Sequence, residues 1–152
     1  MPFGLRMQGM KTRWLLVLMT LLCSAAWTWG ADDLQPSPVK TKDALRSVIE
    51  AQLNAFRHDD YASAYVFADS DFRHQCPLDR FERLVKVSYP AIAHSTSARC
   101  GLAFDNGDEA VVNMRVFSEG REPVDYQYTL RRDGESWRIT GVTLLKDQTT
   151  EV

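Results

Sequence analysis

Apolar and polar residues alternate along the last third of the chain, from Thr96 to Leu145. Ala98, Cys100, Leu102 and Phe104 share one parity, as do Ala110, Val112, Met114 and Val116, and then Val124, Tyr126, Tyr128 and Leu130. A period of two predicts strands with one buried and one wetter face. Three turn signals separate the runs: Asp105-Asn106-Gly107-Asp108, Ser118-Glu119-Gly120-Arg121 and Asp133-Gly134. Asn-Gly and Asp-Gly supply the positive φ of tight hairpins. A fourth strand runs from Trp137 to Leu144. Its apolar residues change parity across Gly141, which predicts a bulge or bend there.

Upstream the period changes to that of a helix. Leu45, Val48, Ile49, Leu53 and Phe56 fall on one face, with Thr41 as the expected N-cap and Gln52 inside the apolar stripe. His58-Asp59-Asp60 interrupts the pattern, and a second helix is predicted from Tyr61 to Ala68. A third begins near Pro77, shows Leu78, Phe81, Leu84 and Val85 on one side, and stops at Tyr89-Pro90. Helices followed by strands predict an α+β layer fold, three helices on one face of a bent four-stranded antiparallel sheet. Such a sheet wrapped round helices makes a cone with a cavity.

The N-terminal thirty residues read differently. Lys11-Thr12-Arg13 precedes an apolar run from Trp14 to Ala26, then Trp27-Thr28-Trp29-Gly30. This is the order of a secretory signal peptide, cleaved after Gly30 or after Ala26, with Met1 or Met10 as its start. The predicted organisation is a leader at 1–30, a flexible Pro36- and Pro38-containing linker at 31–42, the α+β domain at 43–146 and a tail at 147–152. The chain is 152 residues long with a formal net charge of −2. The leader holds Arg6, Lys11 and Arg13 and no acid, so the remainder is mildly acidic. An acidic domain without a basic run argues against a nucleic-acid partner and against an anionic membrane surface. Membrane contact is expected only through an uncleaved leader.

Four segments carry a family resemblance: Ile49–Asp60 (I-E-A-Q-L-N-A-F-R-H-D-D), Ala64–Ala68 (A-Y-V-F-A), Phe81–Pro90 (F-E-R-L-V-K-V-S-Y-P) and Asp133–Val142 (D-G-E-S-W-R-I-T-G-V). Through them the chain resembles the bacterial secreted family called domain of unknown function 4864. That family lies within the cone-shaped superfamily named after nuclear transport factor two. The resemblance implies the fold and export to the periplasm or beyond. It carries no activity, because relatives across the superfamily include isomerases, dehydratases and pure binding modules.

Candidate chemistry is sparse. G-x-S-x-G, H-E-x-x-H and phosphate-loop patterns are absent from the sequence. His58, Asp59 and Asp60 read as a solvated helix end. His74, Cys76, His94 and Cys100 have zinc-ligand types at spacings that match no zinc pattern, so neither metal nor cofactor is expected. Cys76 and Cys100 are the two cysteines beyond the leader. Export favours a disulfide between them, with the third helix covering the first strand. Gln52, Tyr65, Tyr89, Tyr126 and Tyr128 are the candidate cavity lining. No Asp or Glu falls on an inward strand position, so no catalytic residue is assigned. The reading is a small exported binding domain for an unknown apolar ligand or protein partner, with homodimerisation through the open sheet face as one arrangement. The alternative is an isomerase- or dehydratase-like enzyme acting on a small apolar substrate in the cavity.

Overall fold

Leu45, Ile49, Leu53 and Phe56 are buried along one stripe of a nineteen-residue helix, α1 (Val39–Arg57). Their spacing of four, four and three residues keeps them on a single face. In the computed structural model, which describes residues 33–145, this stripe lies against an antiparallel sheet. The expected leader and tail lie outside the described residues. Chain order continues with α2 (Tyr61–Val66), α3 (Ser70–Gln75), α4 (Leu78–Ser88) and α5 (Pro90–Ala93). Four long strands follow: β2 (Ser95–Asp105), β3 (Glu109–Ser118), β4 (Val124–Asp133) and β5 (Ser136–Leu144). A two-residue strand, β1 (Gln35–Pro36), precedes α1 and pairs with the end of β2, giving the sheet order β1-β2-β3-β4-β5.

The α+β class is as expected, but the described residues hold five helices and five strands rather than three and four. Both extra helices are short, and different features set them. α3 is set by Asp69, whose carboxylate accepts from the Asp71 N–H at 3.1 Å. α5 is a single turn opened by Pro90 immediately after α4 ends. Part of the segment expected as linker is helix, since α1 begins at Val39 with Pro38 rather than Thr41 at its N-cap. His58-Asp59-Asp60 is the junction between two helices. Asp59 takes the left-handed backbone (φ 54°) that ends α1. Asp60 then caps α2, accepting from the Ser63 N–H at 2.9 Å and its hydroxyl at 2.6 Å.

Strand parity holds through β3 and β4 and breaks in β2. Ala110, Val112, Met114, Val116, Tyr126, Tyr128 and Leu130 are all buried. In β2 the register slips by one residue between Cys100 and Ala103, so Leu102 turns outward at 64% exposure and Ala103 inward at 7%. Gly101 makes this bulge possible: a Cβ there would stand 3.2 Å from the Asn113 carbonyl oxygen. Another slip lies opposite Thr129 and Leu130, where Thr140 is the extra residue beside Gly141.

The cysteines correct one expectation outright. Cys76 and Cys100 are free thiols. Cys76 follows α3, which is tied to β5 through the Asp69 N–H donating to the Ile139 carbonyl. Cys100 sits on β2, where Lys42 and Arg46 of α1 are its charged neighbours. The helix beside Cys100 is therefore α1 and not the helix that follows Cys76. β2 and β5 are three strand spacings apart, about 14 Å, whereas a disulfide needs α-carbons within about 7 Å. Alkylation under denaturing, non-reducing conditions should label both cysteines in peptide mapping. Recovery of a linked Cys76–Cys100 peptide pair would contradict this arrangement.

Candidate functional site: an apolar pocket over the β5 bulge

Beyond the bulge, β5 and the helices above it leave a pocket of about 200 Å³. α1 contributes Gln52 and Phe56, and α4 contributes Phe81, Leu84 and Val85. Tyr89, Ile92, Ala68 and Phe72 add to the helical side of the lining. Tyr128 from β4 and Ile139 to Val142 from β5 complete the sheet side. Phe81 is the hub of the aromatic packing, with ring centroids 5.9 Å from Phe56, 6.0 Å from Phe72 and 5.3 Å from Tyr65. Tilted and edge-on contacts at these distances favour a fixed arrangement of the wall.

Three of the five residues expected to line a cavity are brought together here: Gln52, Tyr89 and Tyr128. Tyr65 and Tyr126 lie outside the lining. The Tyr65 hydroxyl faces the carbonyl oxygens of Cys76 (2.7 Å) and Arg73 (2.8 Å), fastening α2 to the end of α3. Tyr126 packs on Tyr89 with ring centroids 6.1 Å apart. Phe72, Ile92 and the Ile139–Val142 stretch are lining residues that the helical and strand patterns do not assign to a cavity, whereas Leu84 lies on the apolar face expected for the third helix. Phe72 belongs to α3, which shows no periodic face. Gly141 is the one sequence signal for the β5 contribution, since a glycine within a strand pattern marks a bulge or close approach.

The polar groups of the pocket differ in what they have left to offer. Tyr89 donates to the Val142 carbonyl at 3.0 Å, so its proton is used. Gln52 donates through Nε2 to the Ala64 carbonyl at 3.2 Å, joining α1 to α2. Tyr128 is wholly buried and its hydroxyl has no hydrogen-bond partner among the described residues. Burial pushes that hydroxyl well above the usual tyrosine range, with Tyr126, Glu50 and Tyr89 adding to the effect and Arg57 opposing it. It therefore remains a neutral donor. No Asp or Glu lines the pocket. Glu50, the acid that Tyr128 senses, rides on α1 with Arg57 3.7 Å away. The described residues contain no group of three or more His, Cys, Asp or Glu that could hold a metal ion, and none of their helices is long and apolar enough to cross a membrane.

Together these features define a small α+β domain with an apolar pocket. The family whose sequence model matches residues 39–152 is described as a domain of unknown function, DUF4864. The match spans most of the chain, and the protein belongs to that family. No curated protein matches it.

A buried hydroxyl without a partner costs about 1–3 kcal/mol relative to a satisfied one. Tyr128→Phe should therefore raise the stability of the unliganded protein by about 1 kcal/mol in urea unfolding. Since the folded state holds this tyrosine neutral, its contribution is full below the unfolded value of about pH 10 and is lost as pH rises beyond it. The same substitution should lessen the alkaline loss of stability. A loss of more than about 1 kcal/mol at neutral pH would mean that the hydroxyl is hydrogen-bonded in the empty protein.

Proposed function

We propose that this protein is an exported, non-catalytic binding domain of the cone-shaped superfamily named after nuclear transport factor two, and that its pocket holds a small apolar or amphipathic ligand. The observation that carries the reading is an apolar, aromatic-lined pocket between the helices and the bent sheet. The pocket wall is almost entirely hydrocarbon and aromatic, with the ring-bearing side chains of Phe56, Phe72, Phe81, Tyr89 and Tyr128 among its lining. Apolar walls with a few convergent polar groups are the usual make-up of a small-molecule site. The volume suits a single ring, since an apolar cavity of about 150 Å³ is enough to admit benzene.

The non-catalytic part rests on what the tyrosines touch. A proton-transfer site needs a base within hydrogen-bond reach of its donor. The hydroxyls of Tyr65 and Tyr89 face backbone carbonyls, and that of Tyr128 faces no partner among the described residues. The lining itself supplies an amide and hydroxyls, which hold and orient a ligand without taking its proton. The exported form follows from the basic and apolar leader, and N-terminal sequencing of it should begin at or near Ala31.

Phenol is the simplest probe of this site. Titrated into the protein and followed by amide NMR, it should shift Val85, Ile139 and Val142 saturably, with a Kd of roughly 0.1–10 mM for so few atoms. Leu84 is partly exposed where it lines the pocket, so Leu84→Trp should obstruct the site without disturbing the core. Loss of the shifts in that variant is the expected result. Shifts that map elsewhere, or that survive Leu84→Trp unchanged, would contradict the proposal.

A further inference from the structure

Gln52 lines the pocket and is only 4% exposed. Its Nε2 donates to the Ala64 carbonyl at 3.2 Å, and Ala64 is not part of the lining. A carbonyl can only accept, so this bond fixes which end of the amide is nitrogen. The other end, Oε1, accepts no hydrogen bond among the described residues. It is not sealed as the Tyr128 hydroxyl is, which is both unbonded and cut off from open space. For a residue this buried, the open space at hand is the pocket that it lines. The other hydroxyls of the lining have spent their protons. Tyr89 donates to the Val142 carbonyl at 3.0 Å, and Thr140 donates to the Thr129 hydroxyl at 3.0 Å. What they keep are lone pairs, so the polar character left to the pocket is that of an acceptor.

We propose that the pocket selects small neutral aromatic molecules carrying a hydrogen-bond donor, phenols and N–H heteroaromatics, and that Gln52 Oε1 receives that donor. This deepens the binding function proposed above and rests on it. The class follows from three features of the lining. Its wall is aromatic and aliphatic, which suits a ring. It contains no Asp, Glu, Lys, Arg or His, so a charged ligand would lose its hydration without a counter-charge. Its unsatisfied amide oxygen rewards an O–H or N–H, whereas a ligand oxygen placed there would meet another acceptor. Gln52 is in this account a specificity residue: the wall supplies the attraction, and the amide decides which ring of a given size is held.

Three probes of similar size separate the parts: phenol carries a donor, benzonitrile is polar but can only accept, and toluene does neither. Each is titrated into the unaltered protein and followed by amide NMR. Phenol should bind about three- to tenfold tighter than benzonitrile, the worth of one neutral hydrogen bond. Gln52→Met keeps the length of the side chain and removes the amide. It should erase the preference for phenol over benzonitrile and leave the affinity for toluene within about twofold. If benzonitrile binds the unaltered pocket as tightly as phenol, or if the preference survives Gln52→Met, this inference fails while the apolar binding function stands. If none of the three binds, both fail. Because Gln52→Met also removes the bond to Ala64, its amide spectrum is recorded first; should the variant not fold, the ranking in the unaltered protein decides alone.

Discussion

Two backbone hydrogen bonds at Ile139 hold the helical layer to the sheet. The Ile139 N–H donates to the Phe67 carbonyl at 2.9 Å, and its carbonyl accepts from the Asp69 N–H at 2.8 Å. Without them β5 would present an open edge, with unpaired donors and acceptors that invite another chain. Instead the turn between α2 and α3 lies along it as a short parallel bridge through Ala68. That contact brings Ala68 and Phe72 to the pocket wall, and it starts α3 at Asp69, which is both bridge and cap. One residue beyond Ile139, Thr140 bulges from the ladder, and its hydroxyl donates to that of Thr129 at 3.0 Å. The pocket occupies the space between the helices and the strand that bends there.

The chemistry of the site follows from what this arrangement leaves unpaired. Most of its polar groups are consumed in holding elements together: Gln52 joins α1 to α2, and Tyr89 joins the end of α4 to β5. Tyr128 is the exception, a large side chain fully buried in the sheet's inner face, its hydroxyl without a partner among the described residues. An unsatisfied buried hydroxyl where phenylalanine would pack costs the empty protein stability.

Much of the fold is legible in the sequence because periodicity reports burial directly. The α1 stripe and the alternation in β3 and β4 match the buried faces, since a continuous face must be apolar wherever it packs. What stays hidden lies where one residue changes the register. Gly101 marks the β2 bulge, yet parity by itself places Leu102 inside when it points out. α3, six residues long, has too few turns to show a periodic face and is set instead by Asp69. The expected disulfide is an inference about space drawn from chemistry: two cysteines in an oxidising compartment suggest a bond, but the sheet order sets them too far apart. For the site, Gln52, Tyr89 and Tyr128 are legible because they lie on inward faces. Tyr65 and Tyr126 share that pattern, and only their packing and hydrogen bonds distinguish them.

The central claim is that the space beside Tyr128 is a ligand site. Its most direct test is a crystal structure grown with 4-iodophenol, read by the anomalous signal of iodine. The account predicts one iodine peak within the pocket, with the phenol ring against Phe81, Leu84 and Val85. A pocket that stays empty or filled by ordered water at saturating probe, with iodine found only elsewhere on the surface, would contradict it.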